Sequence, residues 1–328
     1  MRYAIVHPDI TGRYDPPGVD CIRQTPGRVE DEKDADVVFI PVTRFDEFRF
    51  EPKLNDIVKP WVLFDWCEFG WQNTMETSYL WGKDRLTHPS FQNEEWEQFD
   101  KFVRDNPPLV VFQRELLERD VSDKVKPLDY LNWLPEAGND DRDGFLKRPL
   151  DISYNFGRSH EGRMWFHGAV FQQAGAFGYH VISEFSHLEK GLGEDGPKWL
   201  SVHSPHFARL DVREVQKINR RALVNVILPG AGRRTFRLSE CAGDAIMALP
   251  KHELAQAYPW DRSNSLMLPP LKSIESANGY IKIISDALMD RDGLYDTYCR
   301  AMDNALNFRP ENYSRRWIGK SVERAIHG

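Results

Sequence analysis

The sequence predicts an α/β protein made of two domains, each built on a parallel sheet. Three observations carry that expectation. Four short apolar runs bounded by Pro, Asp or charged residues mark the N-terminal half. A second alternation of strand and helix patterns begins at Leu150. Finally, Val224–Pro250 reads as an apolar run, a Gly-Ala-Gly turn, a helical stretch and another apolar run. Alternating strand and helix signals favour a parallel sheet over a sandwich.

The N-terminal runs are Tyr3–Val6, Val37–Val42, Trp61–Phe64 and Leu109–Phe112, the last three continuous enough for strands covered on both faces. Trp96, Phe99 and Val103 fall on one side of a helix, and Arg114–Arg119 could open another. Asp129–Arg148 then changes character: it holds Pro135, Gly138, Asn139, Asp140, Asp141, Asp143 and Gly144 with little apolar period. Residues 136–149 are therefore read as the connection between a domain at 1–135 and a second at 150–309.

In the second domain, Leu150–Phe156 is a strand, Met164–Ala174 a helix and His180–Phe185 a strand. Val212–Ala222 has helix spacing, and Val224, Asp244–Leu249 and Ser265–Leu268 mark further strands. Ser273–Asn307 reads as one helical stretch ended by Pro310, and Tyr313–Ile326 as a final amphipathic helix with Trp317, Val322 and Ile326 on its apolar side.

Composition narrows the function classes. No apolar run approaches the length that spans a bilayer, and MRYAIVHPD reads as a first strand instead of a signal peptide. Cys21, Cys67, Cys241 and Cys299 form no CxxC pair, which speaks against a zinc ribbon or disulfide framework and for a reducing, cytoplasmic compartment. The net charge of −7 gives no general attraction to nucleic acid or anionic lipid. Charge is unevenly spread, though: Arg209–Arg237 carries seven arginines and Lys217 against Asp211 and Glu214.

That basic tract overlaps the chemistry-bearing motif. After the run Val224–Leu228 come Pro229, Gly230 and Gly232, then Arg233, Arg234, Thr235, Arg237 and Glu240. Glycines let the backbone turn tightly, and a helix start beyond them points bare N–H groups at an anion. Arginines bind phosphate bidentately, and a carboxylate one turn on suits a ribose diol. A glycine turn by itself is ordinary α/β punctuation; the longer run is what reads as a nucleotide-diphosphate cradle. Gly157, Arg158 and Arg163 repeat the arrangement after the strand at Leu150. In open parallel sheets ligands gather beyond the carboxyl ends of strands, so both loops are expected at one crevice.

The pattern DISYNFG-R-x4-R, followed by a strand, G-x-G-x-x-T-x-R-x-x-E and Gly243, resembles the donor half of GT-B glycosyltransferases, most of all the exostosin-like proteins. The match spans residues 150–260. It implies two Rossmann-like domains facing each other across a cleft, with Arg237 and Glu240 on the pyrophosphate and ribose of a nucleotide sugar. It also implies donor contacts at Gly157, Arg158 and Arg163, and an inverting outcome. Residues 310–328 would be the terminal helix that crosses back to the first domain. Asp244-Ala245-Ile246-Met247 departs from the more apolar, Pro-containing strand usual there, and the N-terminal half shows no match.

Transfer from such a donor needs stabilisation of the leaving diphosphate, which arginines and helix N-termini can supply without a metal or other cofactor. It also needs a base for the acceptor hydroxyl. Asp65 and Glu68, in WVLFDWCEFGW just past a strand, are the catalytic candidates, with His7 a lesser one. His160 and His167, and His203 and His206, lack partners at metal-ligand spacing and read as satisfied or surface groups. The acceptor class stays open among glycan, small molecule and modified nucleic acid. Two rival readings are a nucleic-acid-modifying glycosyltransferase using the basic tract, and a nucleotide-binding or assembly protein without catalysis.

Overall fold

The computed structural model describes residues 1–10, 22–23, 27–42, 48–66, 94–114, 116–129, 131, 139–154, 162–163, 165–170, 180–183, 198–201, 216–217, 219–228, 238, 241–251 and 254–328. The chain divides into two compact units. Unit 1 comprises Met1–Leu131, Glu253–Ala257 and Arg309–Gly328; unit 2 comprises Asn132–His252 and Tyr258–Phe308. The sequence reading set the boundary at 136–149. In its described part that segment belongs to unit 2, where the short helix α2 (Arg142–Leu146) inserts a fully buried Phe145 into the core.

Among the described residues unit 1 is built on five parallel strands in the order of the chain: β1 (Tyr3–Ile5), β2 (Val37–Val42), β3 (Trp61–Asp65), β4 (Val110–Gln113) and β5 (Val125–Pro127). Every residue of β2, β3 and β4 is buried, which is why these stretches are apolar without alternation. On one face Val38, Ile40, Val42, Trp61, Leu63 and Val111 meet Trp96, Phe99, Phe102 and Val103 of helix α1 (Glu94–Asp105). Phe48 stacks on Trp96 there, 3.8 Å between ring centroids. The alternate residues of the strands form an aromatic ladder, Tyr3–Phe39–Phe64–Phe112, with centroids 5.1, 5.5 and 5.0 Å apart. Each such pair adds about 0.5–1.5 kcal/mol beyond its burial. Arg114–Arg119, read as a helix start, instead contains a bridge from Leu117 to Leu254 and leads into a single 3-10 turn.

Among the described residues unit 2 holds six parallel strands: β6 (Leu150–Tyr154), β7 (His180–Ser183), β8 (Lys198–Ser201), β9 (Ala222–Val226), β10 (Ile246–Pro250) and β11 (Leu266–Leu268). Their order is β11-β10-β9-β6-β8-β7. The chain leaves β6 toward β8 and β7, then returns to the other side of β6 for β9. The boundary between β6 and β9 is thus the topological switch point.

The long C-terminal helical stretch is two helices, α3 (Ile274–Met289) and α4 (Arg291–Ala305). Asp290 separates them, closing the first and capping the second by accepting from the Gly293 N–H at 3.1 Å. Pro310 ends one helical run and opens the next, standing first in α5 (Pro310–Tyr313). Helix α6 (Lys320–His327) lies against β4 within unit 1.

Charged side chains are buried at the amino end of the unit 2 sheet. The Arg148 guanidinium lies over the rings of Phe145 and Tyr298, donates to the carbonyls of Ala222 and Asp244 at 2.7 Å each, and pairs with Asp140 at 2.6 Å. Asp244, 1% exposed, accepts from Arg220 Nε at 3.0 Å and Gln216 Nε2 at 3.4 Å. Burial pushes the Asp244 carboxyl up to about 7, against the lowering pull of Arg220, Gln216 and Arg148. Because this lies above the ordinary 3.8, the group's contribution to stability is complete below that value and is lost as pH rises through 7. Asp244→Asn should therefore flatten the fall in urea-unfolding free energy between about pH 4 and pH 8. An unchanged slope would remove Asp244 as its source.

Candidate functional site

The carboxyl ends of β6 and β9 are adjacent, since Ser153 pairs with Asn225 across them. Below that edge Ser153 donates to Asn225 Oδ1, and Asn219 Nδ2 donates to Cys241 Sγ at 3.1 Å, all four residues buried. This polar seam ties β6 and β9 to the segments that flank β9 in sequence.

Above the seam stands Arg163, 7% exposed. It follows β6 in a helical turn with Gly162, and residues 165–170 continue as helix, anchored by Phe166, Ala169 and Val170 in the core. Its Nη2 donates to the carbonyl of Leu228 at 3.2 Å, two residues past the end of β9 and two before Gly230. A residue from the β6 connection thus grips the start of the β9 connection at the switch point. A guanidinium is suited to this role because its planar fork of donors holds a carbonyl while keeping a full positive charge at the strand ends.

Of the other expected donor contacts, Gly157, Arg158, Gly230, Gly232, Arg233, Arg234, Thr235, Arg237 and Glu240 lie outside the described residues. His167, one turn beyond Arg163, has its Nδ1 3.2 Å from the Tyr154 hydroxyl, in keeping with a satisfied histidine. His160, His203 and His206 lie outside the described residues.

In unit 1 the expected catalytic pair divides. Asp65 is the last residue of β3 and is fully buried, so in this structure its carboxylate does not meet solvent. Glu68 lies outside the described residues, and His7 is half-buried two residues past β1. The sequence reading missed Arg114, 4% exposed, directly after β4. Its N–H donates to the Asp65 carbonyl at 3.1 Å, and its guanidinium donates to the Trp66 carbonyl at 3.3 Å and lies 6.0 Å over the Trp66 ring. A cation two residues past the apolar run Leu109–Phe112 was the available signal.

Among the described residues no group of three His, Cys, Asp or Glu side chains is placed to hold a metal, and no helix is long and apolar enough to cross a membrane.

No protein-family model matches the chain, and no curated protein matches its sequence. Solved structures do match by shape. Anabaena HepE in complex with UDP aligns over 99% of this chain and 100% of its own, with TM-score 0.53 and 8% identity. An α,α-trehalose 6-phosphate synthase from Burkholderia multivorans aligns over 89% and 71%, at TM-score 0.48 and 10% identity. An alpha-glucosyltransferase in complex with UDP-glucose and DNA containing an abasic site aligns over 99% of both chains, at TM-score 0.42 and 12% identity. The fold assignment rests on the first of these: the chain has the mixed α/β, parallel-sheet fold of the GT-B glycosyltransferases.

Proposed function

We propose that this protein is a glycosyltransferase that moves a sugar from a nucleoside-diphosphate sugar, with uridine the first nucleotide to test, to a hydroxyl acceptor. One observation carries the reading: a nearly buried arginine at the β6–β9 switch point joins the two connections whose sequences hold the other arginines and glycines. Parallel sheets bind ligands at that place. Fixed cations there oppose the charge that develops on the departing diphosphate, which makes a metal dispensable. In this reading Arg237 and Glu240 hold pyrophosphate and ribose, and the first unit supplies the acceptor side. Glu68 is the acid retained as base, Asp65 being fully buried. The exostosin-like subtype and the inverting outcome rest on the motif resemblance alone.

The test is a thermal-shift and sugar-nucleotide hydrolysis screen with uridine, guanosine, cytidine and adenosine diphosphate sugars. A hit that disappears in both Arg237→Ala and Glu240→Ala, with the melting transition kept, supports the assignment. Full activity in both variants removes it. Binding without turnover under every acceptor tried favours a non-catalytic nucleotide-binding protein.

A further inference from the structure

Residues 309–328 belong to unit 1, and helix α6 lies against β4. Between α5 and α6 the backbone runs as a π-helical segment, Ser314–Gly319. Its wider turn suits Gly319, where an added Cβ would come within 3.3 Å of the Ser314 carbonyl. Along this stretch two rows with a four-residue step lie on opposite sides. Ser314, Ile318 and Val322 are fully buried. Arg316, Lys320 and Arg324, two residues further on in each case, are all exposed. Arg315 is exposed too and stands five residues before Lys320, the step that a π turn brings into line. From 312 to 328 these four cations are set against a single acid, Glu323, in a chain whose net charge is −7.

We propose that Arg315, Arg316, Lys320 and Arg324 form a docking surface for the phosphate headgroups of an anionic lipid bilayer, on which the protein lies without spanning it. Like charges four residues apart repel along a helix, so the row is unfavourable to the free fold and favourable opposite an anionic surface. The chain as a whole is acidic, yet at ordinary salt charges act over only about 10 Å, so a surface meeting this ridge meets a positive face. Each Lys or Arg near an anionic leaflet adds about fivefold in binding. The row Ser314, Ile318 and Val322 is already buried in unit 1, so the contact is electrostatic adsorption and not insertion. Two features favour a bilayer over a nucleic acid. Trp317, the only Trp, Tyr or Phe between 314 and 327, is half-buried, and its Nε1 donates to the Pro127 carbonyl at 2.9 Å, so its ring is held in the fold and not offered to a base. Ile326 is exposed in the last turn, and a bilayer interface rewards an apolar contact that a phosphodiester backbone does not. The inference does not depend on the proposed activity.

The test is co-sedimentation of the full chain with vesicles of phosphatidylglycerol and phosphatidylcholine in equal parts, beside vesicles of phosphatidylcholine alone. Binding is expected to the first only, and to vanish between about 0.1 M and about 1 M salt, as the Debye length shrinks from about 10 to about 3 Å. Lys320→Gln combined with Arg324→Gln should weaken it about 25-fold. Lys33→Gln combined with Lys53→Gln makes the same change of charge at exposed sites elsewhere in unit 1 and should leave binding close to wild type. All four positions are exposed, so both double variants should melt as the wild type does. No binding of the wild type to the anionic vesicles, or an equal loss in both double variants, overturns the proposal. So does retention of a random-sequence DNA duplex in place of the vesicles, which would assign the ridge to nucleic acid. Should the protein bind no nucleotide, the activity reading fails and this experiment still decides the ridge.

Discussion

Arg148→Met is expected to destabilise unit 2 by about 1–3 kcal/mol, chiefly the cost of leaving the Ala222 and Asp244 carbonyls without their buried donor, since the Asp140 end of the ion pair is exposed. Methionine fills much of the slot between Phe145 and Tyr298, so lost volume contributes little. What goes is the charge that satisfies Asp140 and the donors that satisfy the Ala222 and Asp244 carbonyls. Those carbonyls start β9 and precede β10, so their release loosens the amino end of the sheet. Arg148→Lys should recover only part of the loss, because an ammonium cannot lie flat on two rings and fork to two carbonyls. Urea unfolding measures this. A loss under about 1 kcal/mol, the range of exposed ion pairs, would mean that the guanidinium is not holding the unit together.

The second large effect belongs to Arg163. Arg163→Met leaves the Leu228 carbonyl without this donor in a buried setting, at a cost of about 1–3 kcal/mol. If the proposed donor site is right, the greater effect falls on ligand binding, since the Leu228 carbonyl at the start of the connection after β9 loses its tether and the site loses a cation. UDP affinity is expected to fall at least about tenfold, equivalent to 1.4 kcal/mol. Isothermal titration reads the affinity, and thermal melting separates it from the stability loss. A variant that binds UDP as wild type does would place the nucleotide away from Arg163, or show that it does not depend on this cation.

The parts of the fold that were legible in the sequence are those whose residues are apolar on both faces. β2, β3 and β4 stand out because every position is buried. β5, with the sequence VKP, has two of its three residues only half-buried and gives no such signal. Helix α2 was hidden for another reason: five residues are too few for a helical period, and the acids around them resemble a linker. Phe145, fully buried in the core with Leu146 packed against it, was the clue. Helices α3 and α4 read as one because the apolar stripe continues across Asp290, whose capping bond to Gly293 depends on local backbone geometry. At the candidate site, residue types and spacing pointed to the connections after β6 and β9, and Arg163 stands in the first of them with its guanidinium on the start of the second. Its bond to a backbone carbonyl was not legible, because any residue at position 228 offers that acceptor.

The most direct measurement is hydrogen exchange on the wild-type protein with and without UDP. Expected is ligand-dependent protection concentrated in residues 155–163 and 228–240, the connections that follow β6 and β9, with the far end of the unit 2 sheet around Arg148 and Asp244 unchanged. Protection confined to any other part of the chain, or no protection at saturating UDP, would contradict a nucleotide site at the β6–β9 switch point.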